Sequence, residues 1–132
     1  MTLAQTPAGQ KDPLFAAMPE TFLAQESHGD VVTELPPGAV VLAENEHWDC
    51  QAFVLGDAIW GTQFHPEFTP RVTSDLIHSL TKVLPPEAFP RRPHVQPLKE
   101  WLLSSIQDSP VAQRCLENFA AIALQRSGVE IR

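Results

Sequence analysis

The apolar residues of this chain change their period once, and the change falls between Phe64 and Val72. Before it, short runs alternate or are continuously apolar: Thr21 to Glu26, Ala39 to Ala43, Gln51 to Leu55 and Ile59 to Phe64, the last two predicting a hairpin around Gly56-Asp57. Thr2-Leu3-Ala4-Gln5-Thr6 reads as the end of a further alternating strand. After it, Val72, Leu76, Ile77, Leu80 and Val83 recur at helical spacing until Pro85-Pro86 stops them. Asp12 before Pro13 has the form of an N-cap and first helical residue, so Leu14 to Met18 is one short turn closed by Pro19. A strand-rich first half followed by helices must bury a sheet under them, and the fold class predicted is α/β.

Proline organises the remainder. The stretch 85–97 holds too many prolines for a helix and reads as an extended linker, dividing 1–84 from a helical tail over 98–132. Within the tail, Leu98 to Ile106 is a short amphipathic segment. Ser109-Pro110 starts a last helix whose apolar side carries Leu116, Phe119, Ala120, Ile122 and Ala123. Such a helix most simply covers the core of its own domain. No internal repeat is present, and a chain of 132 residues fits one domain with a real core.

The segment carrying chemistry is Gly61-Thr62-Gln63-Phe64-His65-Pro66-Glu67. It places a histidine and a carboxylate two residues apart at the end of an apolar strand. The proline between them bars a regular helix and stiffens the turn. A histidine so placed can act as a general base, and Glu67 is the candidate for orienting it and stabilising the imidazolium. Without further context, a hydrogen-bonded histidine beside a solvated carboxylate is the simpler reading.

Further landmarks precede that segment: Asp12-Pro13-Leu14-Phe15 with Met18-Pro19, then Ser27-His28-Gly29-Asp30, Leu35-Pro36-Pro37-Gly38-Ala39, and Gln51-Ala52-Phe53. In this order and spacing they resemble the C-terminal half of a class I, triad-type glutamine amidotransferase domain of the GMP synthetase kind, over roughly residues 8 to 70. The resemblance implies an incomplete flavodoxin-like α/β domain made of the C-terminal strands and helices. It also implies hydrolysis of the glutamine side-chain amide, with ammonia passed to a synthetase or transferase site. His65 and Glu67 would be the catalytic pair, and Ser27, His28 and Gly29 would line the pocket for the glutamyl group. The structural reading of that second motif is a turn in which Gly29 supplies a positive φ and Asp30 caps the next residues.

In the resembled family the nucleophile is a cysteine in a Gly-x-Cys-x-Gly turn, with backbone N–H groups as oxyanion hole. No such turn occurs in these residues. Cys50 lies in a strand pattern and Cys115 in a helical one, neither flanked by glycines, so both are expected to be buried, unreactive thiols. Two readings result. One is the acid/base half of an amidotransferase, inactive alone and completed by an N-terminal half or a synthetase partner. The other is a non-catalytic binding or regulatory module, or a truncated gene fragment. With the family's central strands missing, the chain is expected to self-associate or to expose an apolar patch.

Composition narrows the partners. The formal charge is −7 and there is no basic tract, which disfavours nucleic acid, and no apolar run is long enough to span a bilayer. His28, His47, His65, His78 and His94 are scattered without paired cysteines or a His-x-x-x-His face, so neither a metal nor another cofactor is expected. No signal peptide and no disulfide-like spacing point to the cytoplasm.

Overall fold

The computed structural model describes residues 1–83 and 98–128. The expected linker over 85–97 lies outside the described residues. Five strands and three α-helices occur in order: β1 (Thr2–Gln5), β2 (Thr21–Leu23), β3 (Ala39–Glu44), β4 (Ala52–Leu55), β5 (Ile59–Thr62), α1 (Pro70–Val83), α2 (Leu98–Ser104) and α3 (Pro110–Ser127). Among the described residues, 1–67 with 109–128 form one compact unit, and 68–83 with 98–108 form a second. The residues of the expected helical tail thus fall in both units. No helix of the described residues is long and apolar enough to cross a membrane.

In the first unit the strands make one sheet in the order β2-β1-β3-β4-β5, and all four pairings are antiparallel. The β4–β5 hairpin turns at Gly56, whose φ of 65° lies in the left-handed region that glycine enters without a Cβ penalty. Between Val41 and Ala43 the β3–β4 register shifts, so β4 begins at Ala52 rather than Gln51. Gln51 is fully buried at that irregularity, and neither atom of its amide has a partner among the described residues. An orphaned buried amide costs about 1–3 kcal/mol.

The core is carried by alternate strand residues and by the short turn after β1. Leu3, Phe22, Leu42, Val54 and Phe64 are buried together with Leu14 and Phe15. Phe22 meets both Phe15 and Phe64 edge-on, with ring centroids 5.8 Å apart in each pair. The turn is a single 3-10 turn, Pro13–Phe15, shorter than the expected Leu14 to Met18. Asp12 caps it as expected, its carboxylate accepting from Leu14 N at 2.8 Å and also from the Trp60 indole at 3.0 Å. Gly9 packs so closely on β3 that a Cβ there would land on the Leu42 carbonyl.

α3 docks on this turn, but not by the face its apolar residues suggest. Leu116 and Phe119 are 45% and 48% exposed, while Ala112 and Cys115 are buried. The reason lies in what the turn presents. Its backbone carbonyls at Leu14, Ala16 and Ala17 face the helix, and a leucine face would leave them unsatisfied. Asn118 donates to Leu14 O at 2.8 Å and Ala16 O at 3.0 Å, and Arg114 donates to Ala17 O at 3.1 Å. Small residues beside Asn118 allow that close approach. Phe119 instead meets Trp60 edge-on at 6.2 Å, under the Arg126 guanidinium.

Ala17 has a φ of 58°, a conformation that costs a residue with a Cβ about 1–2 kcal/mol. Replacing it by glycine removes that cost but adds backbone entropy to the unfolded chain. The Ala17→Gly variant is therefore expected to be more stable by about 0.5–1 kcal/mol in urea unfolding. An unchanged or lowered midpoint contradicts the strain.

Candidate active site

His65 is placed by its neighbours. Phe64 on one side is 1% exposed and Pro66 on the other is buried, so alternation along the extended chain turns the imidazole away from the core. Its backbone N–H donates to Gln25 O at 2.8 Å, forming an isolated antiparallel bridge between 65 and 25. The imidazole Nδ1 lies 2.8 Å from Glu67 Oε1, with the two side chains 33% and 53% exposed. With the proton on Nδ1, the ring donates a hydrogen bond to the carboxylate, which fixes both tautomer and ring orientation. An ion pair this exposed adds little to stability.

The bridge at Gln25 brings the two candidate motifs onto adjacent backbones. Gln63 ties them further: its amide accepts from Val32 N at 3.2 Å and donates to Asp30 O at 3.1 Å. Ser27 and Gly29 are exposed, and His28 is largely covered, its Nε2 3.5 Å from Glu26 Oε2. Glu26 also accepts from Asn45 Nδ2 at 3.1 Å, and Asn45 Oδ1 accepts from the backbone N–H of His47 and Trp48. Gly29 is not among the residues with positive φ, contrary to the turn reading, and a Cβ on it would meet nothing within 4 Å. The conformation there does not demand glycine.

Sequence reasoning missed the roles of Gln25, Glu26, Gln63 and Asn45. Gln63 stands two residues before His65, but nothing in that spacing tells that its amide reaches a loop more than thirty residues away. Asn45 did carry a local signal, because an asparagine heading a polar loop closes an Asx turn on the backbone two residues on.

Neither cysteine is activated. Both are buried and free of disulfide. Burial pushes the Cys50 thiol up, and it pushes the Cys115 thiol up to about 12, despite the opposing effect of a backbone hydrogen bond. Nucleophilic cysteines have the reverse shift. Among the described residues no three His, Cys, Asp or Glu side chains are grouped as a metal site.

Beyond a small antiparallel sheet, His65-Pro66-Glu67 follows β5 and is bridged to Gln25, two residues before the Ser27-His28-Gly29-Asp30 segment. The glutamine amidotransferase class-I family matches residues 1–81, and the chain belongs to that family. It is 42% identical over 67 residues to the GMP synthase [glutamine-hydrolyzing] of Thermosipho africanus, covering 50% of this chain and 13% of that protein. Against the GMP synthase [glutamine-hydrolyzing] of Caldicellulosiruptor saccharolyticus it is 45% identical over 56 residues, 42% of this chain and 11% of that one. A crystal structure of a glutamine amidotransferase from Thermotoga maritima superposes with a TM-score of 0.67 at 21% identity, over 94% of this chain and 49% of the other. This chain thus spans about half of its structural neighbour and little more than a tenth of these curated relatives.

Proposed function

We propose that these residues form the acid/base half of a glutamine-hydrolysing site, to be completed by a cysteine that lies outside them. The observation that carries the reading is the His65–Glu67 pair, 2.8 Å apart, on a backbone bridged to Gln25 beside the Ser27-His28-Gly29 segment. The supplied thiol gives its proton to the His65 imidazole and attacks the glutamine carboxamide carbon. The imidazolium, stabilised by Glu67, then protonates the departing nitrogen, so ammonia leaves and a glutamyl thioester remains. Water, deprotonated by the same imidazole, hydrolyses the thioester and regenerates the thiol. Gly29, exposed and with no neighbour that a Cβ would meet, gives a ligand's glutamyl group access to backbone.

The test is to join this chain to the Gly-x-Cys-x-Gly half of a relative, fused ahead of Met1 or co-expressed, and to measure ammonia release from glutamine. The 132 residues alone are expected to give none above background, because they hold no activated nucleophile. Activity in the unassisted chain, or none in any reconstituted form that folds, overturns the proposal.

The isolated chain is also expected to self-associate. Leu23 on edge strand β2 is 40% exposed and Ile59 on edge strand β5 is 58% exposed, so each edge offers unpaired backbone beside an apolar side chain. Light scattering behind size exclusion, run over a dilution series, would reveal a mass that rises with concentration. A constant monomer mass with no hydrophobic-dye binding removes this expectation.

A further inference from the structure

The first unit has an open cavity of about 540 Å³ between the segment 31–35 and the loop 47–50. Val31, Leu35 and Val41 give it apolar lining, and Glu34, Trp48 and Asp49 give it two carboxylates and an indole. Trp48 is 44% exposed, unusual for so large an aromatic side chain. The carboxylates of Glu34 and Asp49 are exposed, and among the described residues they take no hydrogen bond or ion pair. Among the cavity's lining residues the only basic side chain is His47, whose Nε2 lies 3.3 Å from Glu46 Oε1. Between Lys11 and Arg71 the chain has ten Asp and Glu residues and no Lys or Arg.

We propose that this cavity is a docking point for a basic partner protein, and that it seats an arginine of that partner over the Trp48 indole, with the guanidinium between Glu34 and Asp49. Each feature selects the occupant. A guanidinium is planar, stacks on an indole face and forks its N–H donors onto carboxylates, whereas an ammonium keeps its hydration and cannot do both. The apolar lining gives a place to the arginine's methylenes and to a neighbouring apolar side chain. A free small cation would need the charge of the cavity alone. Here the ten carboxylates from Asp12 to Glu67, with no Lys or Arg among them, steer a matching basic surface and repel nucleic acid and anionic bilayers. Glu34, Trp48 and Asp49, which would hold the arginine, take no part in the His65–Glu67 pair, so this inference stands whether or not glutamine is hydrolysed there.

The test uses the full chain, isotopically labelled, with the indole N–H signals of its three tryptophans followed by NMR; Trp48→Phe assigns the one of interest. The probes are a blocked Leu-Arg-Leu-Arg-Leu peptide, the same peptide with citrulline in place of arginine, and free arginine. The arginine peptide is expected to shift the Trp48 signal saturably. The citrulline peptide, which has the shape without the charge, is expected to bind at least about tenfold more weakly. Glu34→Gln combined with Asp49→Asn should weaken the arginine peptide by about tenfold, as should Trp48→Ala. The Trp60 indole, bonded to Asp12, reports that each variant is folded. If Trp48→Ala fails that check, the exposed carboxylate pair still decides the matter. An unmoved Trp48 signal, equal binding of the citrulline peptide, or full binding by the carboxylate variant overturns the proposal. Free arginine binding as tightly as the peptide overturns it too, by showing a site for a small cation rather than for a protein.

Discussion

His65→Ala is expected to lower ammonia release from glutamine at least about a thousandfold once this chain is completed by a Gly-x-Cys-x-Gly half. The imidazole is asked to take the thiol proton, to deliver it to the leaving nitrogen and to activate water, so its removal affects every step. Glu67→Gln should cost less, about ten- to a hundredfold, since an amide still accepts from Nδ1 but stabilises the imidazolium poorly. Cys50→Ser and Cys115→Ser should stay within a few-fold of the parent, as both sulfurs are buried with raised pKa. Steady-state ammonia assays on the four variants check this order. Activity that survives His65→Ala but is lost with Cys50→Ser would sink the half-triad assignment.

The second large effect is on stability. Phe64 is 1% exposed and packs edge-on against Phe22, next to the residue whose imidazole it positions. Truncation to alanine should cost about 3–5 kcal/mol, from lost transfer free energy and from the cavity left behind. That is a large part of the ~5–15 kcal/mol by which domains of this size are stable. Urea unfolding followed by Trp60 fluorescence, with Trp48 and Trp101 replaced by Phe, measures it. A loss below about 1 kcal/mol would mean that Phe64 is not a core anchor and that His65 is held by the Gln25 bridge alone.

Much of this arrangement was legible in the sequence because local signals agreed with the tertiary outcome. The β4–β5 hairpin announced itself by two apolar runs around Gly56, and α1 by its period. The Asp12 cap and the nearness of His65 to Glu67 are decided within two residues of sequence. What escaped was decided at longer range. The face by which α3 docks depends on the carbonyls that residues 14–17 present, and these lie about a hundred residues away. The shift in register at Val41 to Ala43, which buries Gln51, has no counterpart in hydrophobic alternation. The ties from Gln63 to Asp30 and Val32 are likewise invisible to spacing, though they join the motifs that the family resemblance had named separately.

The two protonated thiols make the chain a quiet background for electrophiles. At neutral pH neither Cys50 nor Cys115 offers much thiolate to an alkylating reagent, and Cys115, with its thiol pushed up to about 12, offers almost none. In a reconstituted assembly, a cysteine delivered to His65 would therefore stand out as the fast-reacting sulfur. Counting the label taken up in the first minutes of iodoacetamide treatment would titrate assembled sites directly, without any substrate being turned over.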